Sequence, residues 1–309
     1  MIERLKSDIK QIAAFTARNI KTFFKDKGTV ISALISPLVI LVLYILFLDG
    51  VLKDSFTANI GDIAVDAKLI NGYIASYEVS SILATCTVTV AFVANMAMVS
   101  DKVTGVRTDL LITPVKKSVL TLGYYFATAI VTLAVCYVTT GVGLVYVAAS
   151  GWGMSGGQVA AALVDVFLSS LFGTALSSVV CNFLNSRGAI NAVSTIVSTV
   201  YGFICGAYYP ISQFGKGIAN VVMCLPGTYF TGLLRTHFMS GYYDKFIAAG
   251  FPTEAANGVL DSLDANMYFF GSAVPTWVMY TVAVCSVVVL VGLYVLINIV
   301  HKRKKSKNK

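Results

Sequence analysis

Residues 29–48 read TVISALISPLVILVLYILFL, twenty residues without a charge. A helix rises about 1.5 Å per residue, so this stretch covers the roughly 30 Å hydrocarbon core of a bilayer. Outward from it, comparable runs recur at 79–99, 119–149, 159–183, 188–209 and 273–300, and Asp165 is the one charge inside them. Lipid does not tolerate unpaired backbone, so each run is read as a helix. The expected fold class is an all-α polytopic membrane protein with six transmembrane helices. Composition agrees: 57% of the 309 residues are apolar and 12% are charged, against about 25% charged in a soluble domain. That excludes a soluble globular enzyme and a disordered chain. The net charge of +8 does not indicate a nucleic-acid binder, because the Lys and Arg residues flank apolar runs and form no face. The first run follows 28 mixed residues without a small-residue cleavage pattern, so it is not read as a signal peptide.

Lys and Arg are unevenly divided between the two sides. The segments before the first run, between the second and third, between the fourth and fifth, and after the sixth hold 18, and the alternate segments hold 5. The positive-inside rule then places both termini in the cytoplasm of a multi-pass cell-membrane protein. The tail 301–309 has six basic residues and no acid. It reads as an anchor that touches anionic lipid of the bilayer.

Two elements fall on the cytoplasmic side. Residues 1–28 form an expected amphipathic interfacial helix, with Ile2, Leu5, Ile9, Ile12 and Thr16 on one side and Arg4, Lys6, Lys10, Arg18, Lys21 and Lys25 on the other. It serves as an anchor or as a lever for a soluble partner. The loop 100–118 carries Asp101, Gly105 and Asp109, then Leu110, Leu111, Ile112, Thr113 and Pro114. A short helix with an apolar knob, stopped at Pro114, suits docking into a groove on another protein.

On the outer side, 49–77 is acidic and of loop length, 150–158 is short and glycine-rich, and 210–272 is long. Within the last, 214–240 is apolar but broken at Pro226 and Gly227. It is read as a re-entrant helical hairpin; a seventh span would put the basic tail outside. Met154-Ser155-Gly156-Gly157-Gln158 approaches the signature of ABC ATPases, and Gly153 to Gly157 fits a hydrolase elbow. Both are rejected. There is no phosphate loop in the chain, and the only histidines are His237 and His301. Metal-ligand spacings and Cys pairing patterns are equally missing, so no catalytic, cofactor or metal residues are assigned.

Glu78 opens the second run and Asp165 lies in the fourth. Ionisable groups in a membrane are candidates for a substrate path or gate. Both sit near the outer ends, where water is expected to reach them, and an ion pair with Lys216 or Arg235 is the structural alternative. Ser198, Gly202 and Gly206 are spaced by four in the fifth run and form a small-residue seam for packing within the bundle or across a dimer.

This order of features resembles the membrane (permease) subunit of type-2 ABC exporters over nearly the whole chain. The resemblance rests on RNIKTFFKDK at 18–27 leading to Ser36-Pro37, on the Asp101–Gly105–Asp109 to Pro114 loop, on Tyr208-Tyr209-Pro210 after the fifth run, and on Pro226, Tyr229 and Arg235 of the outer hairpin. It departs at Val103 and Thr108, where acidic residues are common. The resemblance implies a pair of such subunits, each docking a separate ABC ATPase through residues 101–114. ATP-Mg would bind on that partner and no cofactor on this chain. A drug, antimicrobial peptide, lipid or glycan would move outward between the subunits past Tyr201, Phe203, Tyr208 and Tyr209, with the outer hairpin as lid. The alternatives are a secondary carrier without an ATPase and a non-transporting immunity or sensor protein.

Overall fold

A computed structural model describes residues 2–60, 65–113 and 115–307. Pro114 and the last two residues of the basic tail therefore lie outside the described residues. The regular structure of the described residues is helical apart from a ladder of two residues per strand. α1 (Ile2–Lys25) leads to α2 (Lys27–Leu43), which continues through a π-helical turn (Tyr44–Leu48) into α3 (Asp49–Ile60). α4 (Ala67–Val103), α5 (Val106–Ile112), α6 (Lys117–Gly151), α7 (Gly156–Cys181) and α8 (Arg187–Ile204) follow. The outer region holds α9 (Lys216–Val222), α10 (Pro226–Met239), α11 (Gly241–Ala248), α12 (Thr253–Ser262) and the hairpin β1 (Tyr268–Phe269) and β2 (Ser272–Ala273). α13 (Thr276–Lys307) closes the chain.

Among the described residues five helices are long and apolar enough to cross a membrane: Lys27–Phe47, Ala67–Val103, Lys117–Gly151, Gly156–Cys181 and Thr276–Asn298. The pair α9 and α10, bent by 96°, makes a sixth if it is one broken span. The expected fifth run, 188–209, is shorter as a helix. α8 stops at Ile204, because Gly206 takes a left-handed φ of +74° and the backbone turns back, Tyr208 N–H donating to the Gly202 carbonyl at 2.9 Å. The expected outer loop 49–77 is also corrected. Its described parts are α3 and the first turns of α4, packed by Phe56 and Tyr73 against Phe246 with ring centroids 5.8 and 5.3 Å away.

Caps fix the helix ends. Asp26 accepts from Thr29 N–H and opens α2. Ser155 and Gln158 form a reciprocal capping box on α7, which accounts for the stretch that imitated an ATPase signature. Lys102 Nζ donates to the carbonyls of Cys181, Asn182 and Leu184 at 3.2, 2.8 and 3.2 Å and completes the other end of α7, where a cation also favours the dipole.

α4 is the central helix: 78% of its most apolar window is buried, against 18% for α2 and 11% for α13. At 37 residues it is about 55 Å long and overshoots a bilayer core. The small-residue seam of this bundle lies on α7. Ser169, Ser170, Thr174, Ser177 and Ser178 are buried there, and a Cβ on Gly173 would stand 2.4 Å from the Thr87 carbonyl oxygen of α4. Cys86 and Cys136 are free thiols whose sulfurs lie 3.8 Å apart between α4 and α6.

Candidate functional site

The end of the bundle that carries α1 is built around α5. Gly105 starts it with φ +85°, a conformation that L side chains avoid, in open space. This turn separates α4 from a seven-residue helix, which precedes α6. Of its apolar residues, Leu110 turns inward against the cluster of Met98, Val99 and Tyr124. Leu111 and Ile112 face out, 41% and 81% exposed, and Val103 at the end of α4 is exposed as well. Asp109 and Thr113 are exposed, and the Thr113 hydroxyl folds back on the Leu110 carbonyl at 2.5 Å. The outward knob is therefore two residues, not three.

Asp101 does not face outward with them. Arg18 of α1 donates to its Oδ2 at 2.6 Å, and Tyr124 of α6 donates to the same oxygen at 2.6 Å. Pairing with Asp101 raises the Arg18 pKa above its ordinary value. Thr16 donates to the Gly123 carbonyl at 3.5 Å, and Asp8 pairs with Lys116. α1 is thus clamped to α4 and α6 on both sides of α5, and Lys102 ties the same junction to α7. None of these pairings was assigned from sequence. Arg18 and Asp101 are 83 residues apart, and only the fold brings them together.

At the other end, the proposed path residues divide. Tyr201 is buried, with its hydroxyl 3.5 Å from the Gly227 carbonyl, and Tyr208 is half-buried over Gly202. Phe203 and Tyr209 are exposed, edge-on to Tyr208 at 5.3 Å and stacked on Phe214 at 5.8 Å respectively. The seam residues are used within the chain. A Cβ on Gly202 would strike the Tyr208 ring, one on Gly206 would strike Ile211, and Ser198 Oγ accepts from Thr89 at 3.1 Å. Pro226 begins α10, and Tyr229 is buried in the same cluster as Tyr201.

Arg235 of α10 is fully buried. It pairs with Asp264 at 2.7 Å, donates to Ser81 at 3.2 Å and to the Gly206 carbonyl, and lies 4.6 Å above the Tyr77 ring. Asp264, left-handed at φ 57°, also accepts from the Ser212 N–H at 2.8 Å. One ion pair thereby joins α4, the turn after α8, α10 and the end of α12.

Glu78 and Asp165 are fully buried, contrary to the expectation that water reaches them, and neither pairs with Lys216 or Arg235. Tyr146 donates to Glu78 at 3.0 Å. Asp165 is held by His237 Nδ1 at 2.5 Å and the Tyr280 hydroxyl at 2.8 Å, so α7, α10 and α13 share one polar contact. Among the described residues no His, Cys, Asp or Glu cluster is shaped to hold a metal.

Residues 10–239 match the ABC-2 type transporter family. The chain belongs to this family. It is accordingly a multi-pass membrane subunit of an ABC transport system, a permease, and the family is a transport component that is not itself catalytic. No curated protein matches the chain. The family match runs from Lys10 in α1 to Met239, the last residue of α10, so it takes in the Arg18–Asp101 pair, α5 and the Arg235 side of the outer ion pair.

Proposed function

We propose that this permease is the membrane subunit of an ATP-driven exporter that pairs with a second, same or similar permease subunit and docks a separate ABC ATPase. The observation that carries the reading is the α5 knob: Leu111 and Ile112 exposed on a helix that packs on α4 and is held to the bundle by Leu110. A groove on a soluble ATPase would cover them, as an amphipathic helix is covered in a partner's cleft. A push on α5 passes directly to α4, from there to α1 and α6 through Arg18–Asp101–Tyr124, and to α7 through Lys102. ATP-Mg would bind on the partner.

The face of α8 supports pairing, and the division of Lys and Arg, 18 against 5, supports a six-span arrangement with both termini in the cytoplasm. Asn191, Thr195 and Thr199 are exposed on it, one turn apart, beside Ile196, Val200 and Phe203. Polar side chains are unfavourable against lipid, so a second subunit or a substrate path covers this face. An apolar or amphipathic substrate would pass along α2, α4 and α8, with Phe203 and Tyr209 as contacts. The lid is the α9 limb, whose Ile218 and Val221 are exposed; α10 is pinned by Arg235 and His237. The test is co-reconstitution with the ATPase in vesicles. ATP hydrolysis that rises with an amphipathic substrate, and ATP-dependent movement of that substrate, support the reading. Equal transport without ATP favours a secondary carrier.

A further inference from the structure

α2 and α3 form one continuous helix apart from the π turn Tyr44–Leu48, where the Asp49 N–H donates to the Tyr44 carbonyl, five residues back. Such a turn holds one residue more than an α turn and recurs at functional sites. The surplus residue has a definite effect here. Tyr44 and Phe56 are twelve residues apart. In an unbroken α-helix they would point about 120° apart. With one residue absorbed by the π turn, the difference falls to about 20°. Both side chains therefore face the protein, 7% and 5% exposed, while Leu46 and Phe47 between them are 68% and 70% exposed.

The two inward side chains have different partners. Phe56 packs on Tyr73 and Phe246, with ring centroids 5.9 and 5.8 Å away, and fixes α3. The Tyr44 hydroxyl donates to the Ala207 carbonyl at 3.1 Å and joins α2 to the turn after α8. That turn is also fixed, because Ala207 is fully buried and Arg235 holds the neighbouring Gly206 carbonyl. α2 itself is only lightly packed, and it carries Pro37 in its middle. Pro37 has no N–H for the Ala33 carbonyl, so a surplus residue can be taken up there without breaking a helical bond. If the π turn becomes an α turn, the Asp49 N–H exchanges the Tyr44 carbonyl for that of Ile45. The segment 38–44 then turns by about 100° and shifts by about 1.5 Å, while α3 and the start of α2 stay in place. Tyr44 leaves Ala207.

We propose that Tyr44 is the outer gate of the substrate path and that the π turn is the one-residue register switch that opens it. The gate rests on the path along α2, α4 and α8 in the proposed function. The switch itself needs neither ATP nor ATPase, so the two readings fail separately.

Hydrogen exchange on the full chain in nanodiscs, read by mass spectrometry, tests the switch. Tyr44→Phe should speed exchange at 44–49 and at 205–209 together, about fivefold, the effect of one lost hydrogen bond. Deletion of Leu46 removes the surplus residue, so exchange at 45–50 should slow while 205–209 speeds up. Residues 51–56 should not change in either variant. With the ATPase bound and ATP trapped on it, 44–49 and 205–209 of the unaltered chain should again speed up together. In vesicles the deletion chain should bind the ATPase and hydrolyse ATP normally, but it should lose ATP-dependent movement of a fluorescent amphiphile, because Tyr44 cannot return to Ala207. Thermal melts check folding, and if the deletion chain does not fold, Tyr44→Phe decides. Faster exchange at 44–49 alone, or transport by a folded deletion chain equal to that of the unaltered chain, overturns the proposal. So does exchange at both segments that ignores trapped ATP while α5 becomes protected. An unaltered chain that moves the amphiphile equally without ATP defeats the exporter reading, and the Tyr44→Phe exchange then decides the switch.

Discussion

Replacing Leu111 and Ile112 together by Asp isolates docking from folding. Complete burial of a Leu or Ile side chain contributes about 1.5–3 kcal/mol. With 41% and 81% of the two residues still exposed in the free chain, an ATPase groove could gain about 2–3 kcal/mol by covering both. Losing that weakens binding by about 30- to 150-fold, and desolvating two carboxylates adds to the loss. The free chain should hardly notice, because exposed substitutions usually change stability by less than about 0.5 kcal/mol. Leu110 is excluded from the test because it packs inward. The assay is titration of the ATPase onto nanodisc-embedded permease, with ATP hydrolysis measured in parallel and melting of the permease as control. Unchanged affinity and turnover in a folded double variant would refute the docking argument.

Three further outcomes follow from the geometry. Asp264→Asn leaves Arg235 buried without its counter-charge and should destabilise the outer end by about 3–5 kcal/mol, seen as a large fall in melting temperature. Gly105→Ala meets no neighbour, only its own backbone at φ +85°, so it should cost about 1–2 kcal/mol and reduce ATPase coupling without abolishing folding. Gly173→Ala pushes a methyl toward the Thr87 carbonyl and should cost about 1–3 kcal/mol; a melt equal to that of the unaltered chain would mean that α4 and α7 are not packed at this distance.

The charge-free runs made α2, α6 and α13 legible, because apolar length alone decides a span. The ends of α4 were not. Lys68 and Glu78 made its first turns look like loop, yet Glu78 is covered by Tyr146 and the aromatic residues around Tyr73 bury the helix above it. Polarity marked 49–77 as solvent-exposed, whereas Phe56 holds part of it against α11 and α4. The α5 stretch was readable from Gly105 and its apolar triplet, but the direction of Leu110 depends on which face α4 and α6 present. The pairings Arg18–Asp101, Arg235–Asp264 and His237–Asp165 span 83, 29 and 72 residues. No local pattern encodes such distances. The fifth run showed its small residues plainly, but their role came from a backward turn at Gly206 that hydropathy does not register.

Photo-crosslinking from position 112 tests the central claim most directly. A benzoylphenylalanine in place of Ile112, activated in native membranes, should form its main adduct with a soluble ATPase that carries a phosphate loop. The yield should change when ATP is trapped on that partner. Adducts to lipid or to the chain itself alone would contradict an ATPase docked on α5.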